Sequence, residues 1–406
     1  MAQSDPPHLV VFTDTFYETN GVGSYYRTLL QWSRRNPPAR VSIICPSRDD
    51  LAPPPACDVI PVRPSINFRN PFYRDLMVGY YSRPVIKRKL AALRGPLVAH
   101  IATSGPLGFA GASVARRLRI PAVGFYHTDM NFYARLYGKK SFGRIGEWLG
   151  EKVGVACERL AYGSCRSMAV PSATAQDTVR KFYSGPIQII PNPIDTRHFQ
   201  PAPHRNGDFR KQYGSPGRAL VIVVGRVAQE KNLDLICELL SSDDRIDLVF
   251  VGDGPYASTL RERWGVRVTG FLHGEELLGA FQQADLFVQL SMSETFGLSL
   301  VEALACGLPA LVLRSPGLVQ TLAADRGVEI LEPSDLPSLA DRCVALAANP
   351  DELARRAILV RQLADAYSAD AIFPSLIQFH AAVLQPSNLH DERRTPLDAG
   401  HPVPVP

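Results

Sequence analysis

Apolar residues in this chain fall into short runs that recur at regular intervals and end in polar, glycine-containing loops. The first run, His8 to Thr13 (HLVVFT), shows no polar alternation and so reads as a buried parallel strand. The loop DTFYETNGVGS follows, then a predicted helix over Tyr25 to Arg34 and a strand over Val41 to Cys45. Strand, helix and strand make a βαβ opening, the unit of nucleotide-binding sheets. The rhythm continues through strands at Leu97–Ile101, Ala122–Tyr126, Ser167–Val170 and Gln188–Ile190, with helices predicted near Gly108–Leu118 and Ser141–Tyr162.

Residues 191–207 (PNPIDTRHFQPAPHRNG) carry the proline, asparagine and glycine of a linker. A second series then begins, with strands predicted at Ala219–Val224, Asp247–Val251, Val266–Thr269, Leu286–Gln289, Ala310–Leu313 and Val328–Leu331. The pattern predicts an α/β chain of two parallel-sheet domains, 1–195 and 196–368, with a helix at 369–385 crossing back to the first. The polar, proline-rich tail at 386–406 reads as disordered. A length of 406 residues favours two cores over one. Ligands of such sheets bind beyond the C-terminal strand ends, so the cleft between domains is where chemistry is expected.

Composition adds limits more than direction. Seven cysteines form no C-x2-C pair, which argues against a zinc site, and their odd number argues against a disulfide framework. No apolar run reaches the length of a membrane span and the N-terminus has no signal-peptide pattern, so a cytoplasmic protein is expected. Charge is uneven: between Arg69 and Lys140 stand thirteen Lys/Arg against two acids. That block suits phosphates or an anionic membrane surface, which would make the protein peripheral on the cytoplasmic face. Nucleic acid is not expected as a partner, because no recognition motif accompanies the charge.

Candidate chemistry concentrates in the second half. SETFGLSLVEALACGLPALV (293–312) places Glu294 and Glu302 on either side of Thr295, Phe296 and Gly297, which run into a helix. Helix N-terminal N–H groups favour a phosphate, and carboxylates accept hydrogen bonds from sugar and ribose hydroxyls. In VVGRVAQEKNLDLI (223–236) a strand ends at Gly225, and Arg226 and Lys231 follow, two cations able to neutralise a departing diphosphate. FVGDGPY (250–256) reads as a structural glycine turn, and NGVGSYYRTL (20–29) offers Gly21 and Gly23 where backbone and ligand approach closely. His127 follows the strand AVGFY and is expected to face the cleft, with Asp129 behind it to orient it or to hold an acceptor hydroxyl.

The two glutamates before A-x-A-C-G-x-P, with G-R-x(4)-K-N upstream, resemble glycosyltransferase family 4, retaining enzymes of the GT-B fold. The segment HIATSGPLGFAGASVARRLRIPAVGFYHTDM (100–130) is similar to the branch of that family that builds glycolipids. The resemblance implies a nucleotide-sugar donor, UDP- or GDP-linked, and no metal, since no D-x-D signature stands at a strand end. It also implies an acceptor that is a membrane lipid or, alternatively, a soluble small molecule. It assigns chemistry to His127, Arg226, Lys231 and Glu294. Donor contacts fall to Gly21, Gly23, Gly225, Phe271, Phe296, Gly297, Leu298 and Glu302. An epimerase and a non-catalytic nucleotide-sugar sensor are the competing readings. Asn192-Pro193-Ile194-Asp195 departs from the family's usual N-G-V-D and predicts a stiffer hinge.

Overall fold

The computed structural model describes residues 6–385 except 19, 48–57, 70–76, 203–206, 293, 295, 316–317 and 319–326, and omits the side chains of 67–69 and 77–78. The tail at 386–406, Thr295, Cys57 and Arg74 therefore lie outside the described residues. The other six cysteines are free thiols.

The Val, Ile and Leu runs form two all-parallel sheets. The first holds β1 (His8–Phe12), β2 (Arg40–Pro46), β3 (Val59–Val62), β6 (Leu97–Ile101), β7 (Ala122–Phe125), β8 (Ser167–Val170) and β9 (Ile187–Ile189), in the order β3-β2-β1-β6-β7-β8-β9. A small antiparallel hairpin, β4 (Ile66–Arg69) and β5 (Met77–Tyr80), stands apart from it. The second sheet holds β10 (Ala219–Val224), β11 (Ile246–Val251), β12 (Arg267–Val268), β13 (Leu286–Gln289), β14 (Ala310–Leu313) and β15 (Val328–Leu331), in the order β12-β11-β10-β13-β14-β15. Their central strands are buried on both faces, as continuous apolar runs require.

The first sheet carries α1 (Gly21–Arg35), α2 (Arg83–Ala91), α3 (Pro106–Leu118), α4 (Met130–Tyr162) and α5 (Ala173–Arg180). The second carries α6 (Asp208–Tyr213), α7 (Leu233–Leu240), α8 (Ala257–Trp264), α9 (Gly274–Gln283) and α10 (Leu298–Ala305). Helix α1 begins four residues earlier than the apolar periodicity predicts. Asn20 caps it, its side chain accepting from the Gly23 N–H at 2.8 Å, so Gly21 and Gly23 lie in the first turn and not in a loop. β3, the β4–β5 hairpin and α2 were not expected from the pattern, because each is short and carries little period of its own.

The chain passes between the sheets twice, and the two passages pair. Ile194 N–H donates to the Tyr367 carbonyl at 2.8 Å, and Ala369 N–H donates to the Ile194 carbonyl at 3.1 Å. The helix Ala369–Leu384 then packs Phe373, Leu376 and Phe379 into the same core as Leu9, Tyr25 and Leu29 of the first sheet and α1.

Helix α4 is a hairpin of two arms. Phe142 and Gly143 leave helical geometry, Gly143 at φ +60°. The arms, 130–141 and 144–162, then touch along glycine. A Cβ on Gly146 would lie 2.0 Å from the Gly138 carbonyl oxygen, and one on Gly150 2.2 Å from the Ala134 oxygen. Buried Glu158 ties the arms at their base, accepting from Met130 N–H and from the Tyr126 hydroxyl, each at 3.1 Å. Asp129 accepts from Phe132 N–H at 2.8 Å and so caps the first arm; no bond to His127 is seen, against the expectation that Asp129 orients that ring. Gly146→Val should push the arms apart and destabilise the protein by about 2 kcal/mol, read as a lower denaturant midpoint and faster proteolysis near residue 143.

Candidate active site

Strand order reverses between β1 and β6 in the first sheet and between β10 and β13 in the second. Ligands of doubly wound sheets settle outside the C-terminal strand ends at such a switch point. In the first sheet the crevice is closed by protein: Asp14, beyond β1, accepts from the Thr103 hydroxyl at 2.6 Å and from Leu107 N–H at 2.9 Å. Burial raises the Asp14 carboxyl above its usual value.

In the second sheet the crevice holds the cations. Lys231, after β10, donates to Glu294, after β13, at 2.6 Å, with both side chains about one-fifth exposed. Asn232 sits in the left-handed region at φ 56° and donates its amide to the Leu290 carbonyl at 3.0 Å, locking the two loops together. Arg226 pairs with Glu230. A glycine turn sets the approach of this loop: Gly225 has φ +144°, and a Cβ on Gly252 would lie 2.0 Å from the Gly225 carbonyl oxygen. The FVGDGPY turn thus supports the Arg226 loop directly, with Val227 N–H donating to the Asp253 carbonyl at 2.9 Å.

The C-terminal edges of the two sheets face each other. Arg226 lies over the Tyr133 ring of α4 at 5.7 Å and reaches its hydroxyl at 3.5 Å. A Cβ on Gly21, at the start of α1, would meet the Leu298 side chain, at the start of α10, at 3.5 Å. Two helix N-termini therefore open toward one cleft, where their N–H groups favour an anion. α10 has no side-chain cap among the described residues. The two expected glycines differ: Gly21 faces the opposite sheet, whereas a Cβ on Gly23 would strike the Thr15 and Glu18 carbonyls at 2.7 Å, a packing need against the loop that precedes the helix.

The other expected donor contacts also divide. Gly297 has φ +82° and ends the loop into α10. Phe296 turns its ring into the core against Tyr367, with centroids 5.6 Å apart, so its side chain does not line the cleft. Phe271, following β12, is 44% exposed and open to a ligand. Glu302 lies on α10 four residues after Leu298, hence on the same face. Its carboxyl has no hydrogen-bond donor among the described residues, and burial pushes it up to about 8. That shift favours the protonated acid at neutral pH.

His127 belongs to a chain of hydrogen bonds that sequence reasoning missed. His380 Nδ1 lies 2.6 Å from the Leu376 carbonyl, His380 Nε2 2.8 Å from His100 Nδ1, and the Tyr26 hydroxyl 2.7 Å from His100 Nε2 and 2.8 Å from His127 Nε2. Burial lowers all three histidines, His127 to about 3 and His380 to about 4, so each ring is neutral with one N–H. A carbonyl only accepts, which assigns every proton in turn. His380 Nδ1–H donates to Leu376, His100 Nδ1–H to His380, Tyr26 O–H to His100, and His127 Nε2–H to Tyr26. His127 Nδ1 is left as an acceptor, suited to a ligand hydroxyl. The ring is stacked on Phe125 at 4.4 Å. Tyr26 and His100 stand in quoted motifs and could have been noticed; His380 lies in a distant helix with no local signal.

Two Rossmann-type sheets facing across a cleft make the GT-B fold. An Anabaena protein, HepE, solved in complex with UDP and glucose, has the same fold, with a TM-score of 0.69 and 14% identity over 92% of this chain and 99% of that one. Residues 19–198 match the model described as Glycosyltransferase Family 4, and residues 206–358 the one described as Glycosyl transferases group 1. The chain belongs to the family 4 glycosyltransferases. It is 28% identical to the sulfoquinovosyl transferase SQD2 of Arabidopsis thaliana, across 64% of this chain and 51% of that protein. It is 35% identical to a GDP-mannose-dependent alpha-mannosyltransferase of Mycobacterium tuberculosis, across 55% of this chain and 57% of that protein. It is 26% identical to the alpha-monoglucosyldiacylglycerol synthase of Streptococcus pneumoniae, across 84% of this chain and 78% of that protein. The chain spans about half the length of the first two.

Two pH dependences follow. The buried histidines have folded values below the usual 6.5, so their protonation favours unfolding. Their contribution to stability is complete above pH 6.5 and is lost as pH falls toward 4 and 3. Tyr26→Phe should cost on the order of 1–3 kcal/mol and change the His127 imidazole nitrogen shifts, because Nε2–H loses its acceptor. Glu302 acts in the opposite sense, its stabilising share being present below pH 4.5 and lost as pH rises through about 8. Glu302→Gln should therefore raise the melting temperature of the ligand-free protein near pH 8 and little at pH 4.5.

Proposed function

We propose that this chain is a retaining, metal-independent glycosyltransferase that moves a hexose from a nucleotide-sugar donor, GDP-mannose or UDP-glucose in type, to a hydroxyl of a membrane lipid. The second sheet binds the donor and the first receives the acceptor. The observation that carries the reading is the Lys231–Glu294 pair at 2.6 Å across the second switch point, beside the open N-terminus of α10. In the ligand-free protein Lys231 and Arg226 are held by carboxylates, Glu294 and Glu230. A donor diphosphate draws both cations to itself, which frees Glu294 to accept from sugar hydroxyls and stabilises the charge that grows as the diphosphate leaves. Arg226 and Lys231 thus do the electrostatic work a metal would do elsewhere.

In the proposed step the bond from the anomeric carbon to the diphosphate oxygen breaks, and the acceptor oxygen bonds to that carbon from the same face. The acceptor proton passes to the departing phosphate oxygen. His127 Nδ1 accepts from a donor-sugar hydroxyl and fixes the ring, and Glu302 receives the ribose hydroxyls. The relatives' names support a lipid acceptor, one of them being a monoglucosyldiacylglycerol synthase. No described helix is long and apolar enough to cross a membrane, so the lipid is reached from the membrane surface, on the cytoplasmic face in this reading.

The test is nucleoside diphosphate release from a panel of UDP- and GDP-sugars, with and without a lipid extract. One donor should be turned over faster with lipid. Lys231→Ala and Glu294→Ala should each lower kcat by about 100-fold or more with the fold intact. Wild-type turnover in either variant removes the site assignment, and turnover indifferent to lipid moves the acceptor to a soluble molecule.

A further inference from the structure

The second arm of the α4 hairpin shows an apolar stripe that no described residue covers. Phe142, Ile145, Trp148, Leu149, Val153 and Leu160 are between 51% and 77% exposed. Phe142 stands at the turn of the hairpin, and the others, at 145, 148, 149, 153 and 160, fall on helical spacings of three, four and seven, so they share one side of the helix. Soluble surfaces seldom show so many large apolar side chains together unless the surface binds something.

Charge decides what it binds. Lys140, Arg144, Lys152 and Arg159 flank the stripe, all exposed and without an acidic ion-pair partner among the described residues. Of the arm's three acids, Glu147 is already paired with Arg135 at 3.1 Å and Lys139 at 3.2 Å, Glu158 is buried at the base, and Glu151 alone is exposed, against the four flanking cations. A second copy docked by a two-fold axis would bring like cations together. Anionic headgroups would meet each of them, while the aromatic and aliphatic side chains enter the acyl boundary. We infer that the α4 hairpin is a docking surface for an anionic lipid bilayer, with Phe142, Ile145, Trp148 and Leu149 inserted and Arg144 and Lys152 on the headgroups.

The position gives the docking a use. The first arm of the same hairpin carries Tyr133, against which Arg226 packs at the cleft. A bilayer held by the second arm lies beside the arm that meets the site, where a lipid hydroxyl has to arrive in that reading. This use rests on the lipid-acceptor reading; the docking itself does not. It also narrows the 69–140 basic block, whose last members Lys139 and Lys140 stand at the hairpin's tip, while the apolar partners lie beyond it in sequence.

Docking is tested without donor or acceptor turnover. Protein is mixed with phosphatidylcholine vesicles or with vesicles that also contain phosphatidylglycerol, and the bound fraction is sedimented. Wild type should bind the mixed vesicles, less so at high salt, and show a blue shift in tryptophan emission that Trp148→Phe removes. The double variant Phe142→Ser/Ile145→Ser should reduce partitioning by about tenfold or more. Arg144→Gln and Lys152→Gln, independent of the apolar pair, should each reduce it by about fivefold. Diphosphate release with a detergent-dispersed lipid acceptor should persist in these variants, which separates failure of docking from failure of the transferase reading. The inference is overturned if wild type stays in the supernatant or binds phosphatidylcholine alone equally well. It is also overturned if light scattering shows a dimer that Phe142→Ser/Ile145→Ser dissociates.

Discussion

A parallel sheet delivers every strand-to-helix turn to a single edge, and this constraint organises the molecule. Both faces of each sheet are covered by helices, so side chains that must meet a ligand have only the C-terminal edge to occupy. Two such sheets are set edge to edge here, which brings α1 and α10 start to start and lays Arg226 against Tyr133. The paired crossings at Ile194 and Ser368 keep that arrangement while leaving little else of the backbone between the halves. The crossing is a single bridge between two segments of chain, held by the two hydrogen bonds of Ile194.

Electrostatics in the ligand-free cleft are already balanced. Each cation has a carboxylate, and burial shifts Glu302, whose carboxyl has no hydrogen-bond donor among the described residues, toward its protonated form. Charge is thereby stored without an isolated buried ion, the arrangement that costs a protein most. In the proposed reaction an arriving diphosphate replaces one set of anions by another at Arg226 and Lys231. His127 is prepared in the same spirit, its tautomer dictated from the Leu376 carbonyl through three intervening side chains.

Much of this was legible along the chain. The apolar runs located the central strands of both sheets to within a residue or two, because a strand buried on both faces leaves no other composition possible. Arg226, Lys231, Glu294 and Glu302 were legible because each sits within a few residues of a strand end or a helix start, where local spacing sets direction. Less legible were β3, the β4–β5 hairpin and α2, which are too short for their periodicity to declare itself. The start of α1 was misplaced because glycine argues for a loop, whereas the Asn20 cap outweighs it.

What the sequence determined by itself was therefore the alternation of elements, the two sheets and the residues standing at their edges, since these follow from burial and turn chemistry within a few positions. Tertiary structure decided which of those residues meet. It turned Phe296 inward and Gly21 outward, gave Gly23 to packing and Asp129 to a helix cap, and folded α4 back on glycine so that one arm reaches the cleft and the other presents its apolar side. It also joined His380 to His127 across some 250 residues of chain, a partnership of the kind that burial and geometry create and that local spacing cannot carry.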